Sequence, residues 1–270
     1  MEIRTIVTDC DDTLLRDDLT ISPFTRDVLK RAYDKGIRVI LASGRAAASV
    51  RPFAESLGFK EPYIACNGAV IIDGNTNKPL DEQLFSVETA KKCGRFFKER
   101  GMYGQYYYGE RFYYNHSCEF NRMYAESSRM EGELAGDLEK AIKWPIPKLL
   151  GIDTPERILK AYEAAIKEFE GEASITMSKP HFLEINPVGA TKGKALARLS
   201  KMMDISPETT MAFGDSLNDI PMLEWAKYGV AMENARREVK AVAPLHCKSN
   251  EEDGVAHMIL THVLKEETAL

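Results

Sequence analysis

The sequence has too few cysteines, and in the wrong places, for a covalent framework. Cys10, Cys66, Cys93, Cys118 and Cys247 are five, an odd number, widely spaced and without a CxxC pair. That argues against a disulfide scaffold or structural zinc site and fits free thiols in a reducing cytoplasm. No run of lysine and arginine stands out. With a net charge of −5 and a pI of about 5.7, nucleic acid is not expected as a partner. No apolar run approaches the ~18 residues that a membrane helix needs, and the N-terminus lacks a signal-peptide pattern. Internal repeats, low-complexity tracts and Gly/Ser linkers are also missing. A cytoplasmic protein with no membrane partner is expected, and the pattern specifies no oligomeric state. A chain of 270 residues, 44% apolar, has room for two domains of ordinary size.

What is present starts with Asp9-Cys10-Asp11-Asp12-Thr13, directly after the β-branched run Ile3–Thr8. Carboxylates this close raise one another's pKa unless a cation relieves them. Mg²⁺ would do so, since hard cations take carboxylate oxygens. The plainer reading is an acidic turn capping a helix. Further on, Ser22-Pro23 reads as a helix start. Ile37–Ala42 is an apolar strand ending in Ser43-Gly44-Arg45, and Tyr63–Cys66 is a third strand ending in Asn67-Gly68. Pro52 should kink or break the helix between them. A hairpin is expected over residues 69–85. Near the C-terminal end, Thr210–Phe213 is a strand ending in Gly214-Asp215-Ser216-Leu217-Asn218-Asp219, with helices on either side of it.

This alternation predicts an α/β fold, a doubly wound parallel Rossmann-like core sheet with polar residues gathered at its carboxyl edge. Between the two halves the pattern changes to aromatic strands and amphipathic helices. The expected organisation is a discontinuous core, 1–84 and 188–270, interrupted by an α+β cap, 85–187.

Asp9/Asp11 and Asp215/Asp219, with Ser43 and Lys192, supply the parts that phosphoryl transfer needs. Asp9 serves as nucleophile, Asp11 as proton donor and then acceptor, and Ser43 and Lys192 as phosphate holders. Asp215 binds Mg²⁺, with Asp219 beside it. Against each stands a plainer role: helix capping for Asp215, Asp219 and Ser43, a solvated ammonium for Lys192.

Asp9-x-Asp11-x-Thr13, Ser43-Gly44-Arg45, Lys192-Gly193 and Gly214-Asp215-x-x-Asn218-Asp219 resemble the four ordered motifs of the haloacid dehalogenase superfamily. The insertion resembles the C2 cap of its Cof-type sugar-phosphatase branch, as do Asn67-Gly68-Ala69 and Gly229–Ala235. The resemblance implies a Mg²⁺-dependent phosphatase acting on a small phosphorylated metabolite. It implies Asp9 and Asp11 as catalytic residues, and Asp9, Asp11, Asp215 and Asp219 about the metal. Thr13, Ser43, Gly44, Lys192 and Asn218 fall at the phosphate. One departure is Asp12, where Gly is frequent; its side chain is expected to point away and hydrogen-bond a backbone N–H. His181 is the expected cap residue near substrate, and Arg45 is either a phosphate-side ligand or a surface residue. The tyrosines of Tyr106–Tyr108 are expected to pack in strands. Two other functions share the fold. A phosphomutase would need cap cations, from among Arg100, Arg111, Arg122 and Arg129. A non-catalytic phosphate-binding module would not need the Asp9/Asp11 pair.

Overall fold

A computed structural model describes residues 1–266; the last four residues of the expected 188–270 segment lie outside it. In chain order the first part holds β1 (Thr5–Thr8), α1 (Pro23–Asp34), β2 (Arg38–Leu41), α2 (Ala47–Leu57), β3 (Tyr63–Ala65), β4 (Val70–Ile72) and β5 (Pro79–Glu82). The middle holds α3 (Val87–Glu99), β6 (Tyr103–Tyr108), β7 (Arg111–Tyr114), α4 (Glu119–Ser128), β8 (Glu131–Leu134), α5 (Leu138–Ala141), β9 (Leu149–Ile152), α6 (Pro155–Glu168), β10 (Ala173–Thr176) and β11 (Phe182–Pro187). The last part holds α7 (Lys192–Met203), β12 (Thr210–Gly214), α8 (Ile220–Trp225), β13 (Tyr228–Ala231), α9 (Arg237–Val242), β14 (Leu245–His246) and α10 (Gly254–Ile259).

The core sheet has the order β14-β13-β12-β1-β2, with all strands parallel. Its central strands are apolar on both faces, as helix-covered parallel strands must be; β1 and β12 are buried throughout. Thr8 is level with Leu41 on one side and Phe213 on the other, so Asp9, Ser43 and Asp215 emerge at one edge. From β1 the chain winds outward to β2, and from β12 it winds the other way. The switch point therefore falls between β1 and β12, where open α/β sheets form their binding crevice.

Two expectations change here. The third strand is not a full member of the parallel sheet: β3 pairs antiparallel with β4 and touches the core sheet through one parallel bridge, Ala42–Ile64. Left-handed backbone at Cys66, Asn67 and Gly68 turns the chain straight back. The other change is at Pro52, where α2 continues without a break.

The cap sheet has the order β10-β11-β9-β6-β7-β8, antiparallel except for β7–β8. Period-two alternation divides its faces. Tyr106, Leu149, Leu183 and Ile185 pack with Phe96, Phe97, Ile158 and Phe169 of the cap helices and their flanks. Tyr103, Tyr107, Leu150 and Ile152 join the core's apolar cluster instead. Two of the three tyrosines pack as expected: Tyr106 stacks on Tyr113, and Tyr107 gives its hydroxyl proton to Tyr124 at 2.6 Å, while Tyr108 is exposed. No helix among the described residues is long and apolar enough to cross a membrane.

Candidate active site

Asp9 leaves the end of β1 with its N–H bonded to the Phe213 carbonyl of β12, 3.0 Å away. It is buried, and its Oδ1 lies 2.5 Å from Lys192 Nζ. Lys192 opens α7, where Thr191 caps the helix by accepting the Lys194 N–H. The same ammonium lies 2.5 Å from Asp219 Oδ1. Asp219 Oδ2 accepts the backbone N–H groups of Asp215 and Ser216, at 3.0 and 2.9 Å, and so shapes the loop that presents Asp215. That curl requires Gly214: a Cβ there would stand 2.5 Å from Asp219 Cβ. Thr13, expected at the phosphate, gives its hydroxyl proton to Asp215 Oδ1 at 2.9 Å.

One buried ammonium thus faces three buried carboxylates. Burial alone would lower the pKa of Lys192, but Asp219 and Asp9 hold it above the ordinary lysine value. Burial raises Asp9 well above the carboxylate range; Lys192 opposes this, and Asp219, Asp215 and Asp11 reinforce it. Asp215 is pushed up to about 7, by burial first and then by Asp219. A further cation, or protons on the carboxylates, would relieve this crowding. Asp9, Asp215 and Asp219 each offer an oxygen within 4.8 Å of the others, a hard all-oxygen set suited to Mg²⁺. Both Asp219 oxygens are already engaged, whereas Asp9 and Asp215 each keep an oxygen with no hydrogen bond among the described residues.

Asp11 faces a different partner. Arg45 grips its carboxylate with two bonds, Nε–Oδ2 at 2.8 Å and Nη2–Oδ1 at 2.7 Å. Burial pushes the Asp11 carboxyl up, but the hydrogen bonds and charge of Arg45 outweigh it and hold the pKa below the ordinary value. Arg45 Nη1 also reaches Ser49 Oγ and the Ser127 carbonyl of the cap, at 2.9 and 3.0 Å. Ser43 is fully buried and accepts the Arg45 N–H, while Gly44 lines the cleft. Asp12 takes left-handed backbone, φ 56°, and its carbonyl accepts Asn234 Nδ2. Among the described residues its carboxylate makes no backbone bond; it faces Lys179 of the cap, 3.7 Å away.

Asp9, Asp11, Asp12, Gly44, Arg45, Asp215 and Asn218 floor a cleft of about 220 Å³; Thr13, Ser43, Lys192 and Asp219 lie behind them and are not among its lining residues. The cap roofs it with Met123, Tyr124, Leu150, Lys179, His181 and Phe182. His181 lies in the wall, its pKa lowered by burial and by Lys179. None of Arg100, Arg111, Arg122 and Arg129 is among the lining residues; Arg100 and Arg111 pair with cap glutamates. Sequence reasoning missed the buried pair Lys148–Glu184, 2.8 Å apart, and the contact of Glu184 with Asn67. Their signal was a charge inside an apolar strand, Leu183-Glu184-Ile185, beside a lysine heading the next strand.

Residues 6–259 match the family model of the haloacid dehalogenase-like hydrolases. The chain belongs to that family. Its inserted, sheet-bearing cap agrees with the Cof-type branch. Similar proteins run its full length. The 5-amino-6-(5-phospho-D-ribitylamino)uracil phosphatase YcsE of Bacillus subtilis is 30% identical, over 98% of this chain and 97% of its own. Pyridoxal phosphate phosphatase YbhA of Escherichia coli is 29% identical, over 98% and 100%. Among solved structures, a haloacid dehalogenase-like hydrolase from Bacteroides thetaiotaomicron superposes with a TM-score of 0.87 at 28% identity, covering 96% of this chain and 99% of that one.

Proposed function

We propose that this hydrolase is a Mg²⁺-dependent phosphatase of small phosphomonoesters that works through an aspartyl-phosphate on Asp9. The observation that carries the reading is Asp9 itself. It is a buried carboxylate at the floor of a capped cleft, with one oxygen held by Lys192 and the other uncommitted. Phosphoryl transfer asks for positioning and charge neutralisation more than for covalent invention. Bound between Asp9 and Asp215, Mg²⁺ would neutralise phosphate oxygens. Lys192, which donates to Asp9 and Asp219, keeps a third N–H for a phosphate seated on Asp9, and Gly44 and Asn218 line the cleft.

Asp9 attacks phosphorus, the bond to the leaving oxygen breaks, and that oxygen takes a proton from Asp11. Water then attacks the phospho-aspartate, Asp11 removes its proton, and phosphate departs. The two roles of Asp11 need two states. Paired with Arg45 it is a carboxylate fit to accept a proton from water. To donate one it must be protonated, and hence released from Arg45, whose reach to the cap's Ser127 ties that release to cap position.

The relatives that act on a phosphoribityl-aminouracil and on pyridoxal phosphate support a small, cleft-sized phosphorylated metabolite as substrate. The test is phosphate release across a panel of sugar phosphates, nucleotides, flavin mononucleotide and pyridoxal phosphate, with Mg²⁺ and with EDTA. Turnover that needs Mg²⁺ and falls by roughly 10⁴–10⁶-fold in Asp9→Asn supports the reading. Undiminished turnover in that variant, or in EDTA, sinks it.

A further inference from the structure

Glu184 of the cap and Asn67 of the core take no part in the chemistry above, yet they form a hydrogen-bonded chain that ends on Asn218. We propose that Glu184 and Asn67 are positioning residues that fix the orientation of the Asn218 amide and present its N–H to the phosphate end of the cleft. The proposal rests on the phosphatase reading.

The direction of the chain follows from the chemistry of its first member. Glu184 is buried and accepts hydrogen bonds from Lys148 Nζ and Ser178 Oγ, as a carboxylate does. The Asn67 atom that faces its Oε2 at 2.5 Å must then be the donor, Nδ2. Asn186 Oδ1, 3.4 Å from the same nitrogen, is a second acceptor and agrees with that assignment. Asn67 Oδ1 therefore points the other way, and there it accepts Asn218 Nδ2 at 2.9 Å. An amide nitrogen carries two hydrogens. One goes to Asn67, and the other remains for the cleft that Asn218 lines. Asn218 Oδ1 is buried with no partner among the described residues. Its own surroundings do not favour this orientation; Asn67 imposes it.

The relay is braced on both sides. Lys148, also buried, balances the Glu184 charge and donates to the Gly44 carbonyl at 2.9 Å. Asn67 takes left-handed backbone, φ 55°, and its N–H bonds the Ser43 carbonyl at 3.1 Å. A side chain at Gly44 would press on the relay's amides. A Cβ there would lie 2.9 Å from Asn67 Oδ1 and 3.5 Å from Asn218 Nδ2. One cap carboxylate thus acts on the loops that follow β2, β3 and β12.

The experiment is a double-mutant cycle. Asn67→Ala, Asn218→Ala and the double variant are compared with wild type in kcat/KM for p-nitrophenyl phosphate and in affinity for orthophosphate by calorimetry. Each single variant should lose roughly 10–100-fold, and the double should be no worse than Asn218→Ala alone. Losses that multiply overturn the proposal. A second arm reverses the polarity. Asn67→Asp sets carboxylate against carboxylate and should lose as much. Adding Glu184→Gln supplies an amide donor to the new carboxylate, whose oxygen still accepts from Asn218, and should restore most of the activity. No restoration in a double variant that melts like wild type also overturns it. If wild type releases no phosphate from the substrate panel, the phosphatase reading fails. The orthophosphate cycle then decides the relay alone: non-additive loss of affinity upholds it and additive loss rejects it.

Discussion

Replacing Lys192 with Met removes the ammonium between Asp9 and Asp219 and keeps a similar side-chain volume. Both contacts are 2.5 Å, and the three side chains are 0–8% exposed. Removing one partner of a buried ion pair costs roughly 3–5 kcal/mol, because the remaining charge loses its compensation. Two charges are stranded here, which pushes toward the upper end. Asp219 keeps its two backbone donors, and Asp9, already raised by burial, takes up a proton, which limits the loss. At about 2–4 °C per kcal/mol for a chain of this size, Lys192→Met should melt roughly 6–20 °C below wild type in EDTA near neutral pH. Adding Asp219→Asn removes one stranded charge. At least about half of the lost stability should return, while turnover stays lost because the phosphate still lacks its ammonium. Mg²⁺ should raise the melting temperature of Lys192→Met more than that of wild type, since it supplies the missing positive charge. Scanning fluorimetry of the three proteins, with and without Mg²⁺, reads all of this. A single variant within about 2 °C of wild type, or a double variant no more stable than the single, would show that Lys192 is not the counter-charge argued here.

Three further outcomes follow from the same geometry. Burial and then Asp219 raise Asp215 to about 7 in the fold, against roughly 3.9 for an unperturbed Asp. Its contribution to stability is therefore complete below the unfolded value and is lost as pH rises through about 7. In EDTA the melting temperature should fall over that interval, and the increment from Mg²⁺, which binds the ionised form, should grow; an increment that stays flat with pH contradicts the assignment. In Arg45→Ala the burial of Asp11 goes uncompensated, so its pKa rises, and the alkaline limb of the kcat/KM profile, set by Asp11 as the acid of the first step, should move up by about 1–3 pH units; an unmoved limb argues against Asp11 as the titrating group. Asp12→Gly relieves left-handed backbone and should keep turnover within about twofold while adding roughly 0.5–1 kcal/mol in denaturant unfolding; a loss as deep as that of Asp9→Asn would return Asp12 to the chemistry.

The core was legible because its physics is local. A parallel strand covered on both faces is a continuous apolar run, and Ile37–Ala42, broken only by Arg38, and Met211–Phe213 read as such before any pairing is known. Helix α1 announced itself through Ser22, which accepts the Thr25 N–H at 2.9 Å, and Pro23 after it. What failed was non-local or weak in pattern. β8 is Glu-Gly-Glu-Leu, exposed throughout, and is held only by its neighbour β7. α5 is too short for a helical period to show. β3 carries the composition of a core strand; only the positive φ of the three residues after it sends it into a different sheet.

The site divides along the same line. Crowded carboxylates at strand ends call for a cation whatever surrounds them, so the acidic residues could be named from residue types alone. Their partners could not. Asp9 and Asp11 are equal in the sequence, yet one receives Lys192 and the other Arg45, and this decides which carboxylate is crowded and which is clamped. Thr13 sits within the same motif, yet the fold assigns its only hydroxyl proton to Asp215. Glu184 extends the point. In a strand whose neighbours Leu183 and Ile185 face the cap helices, period two turns Glu184 toward the core. A carboxylate buried there needs both a cation and donors. Lys148, beside it on the adjoining strand, is the cation, and Asn67 and Ser178 are the donors. The cap therefore does not rest on the core through apolar contact alone, which would tolerate sliding. It is seated by directional bonds that open if it shifts, and those bonds lead through Asn67 to Asn218 in the cleft.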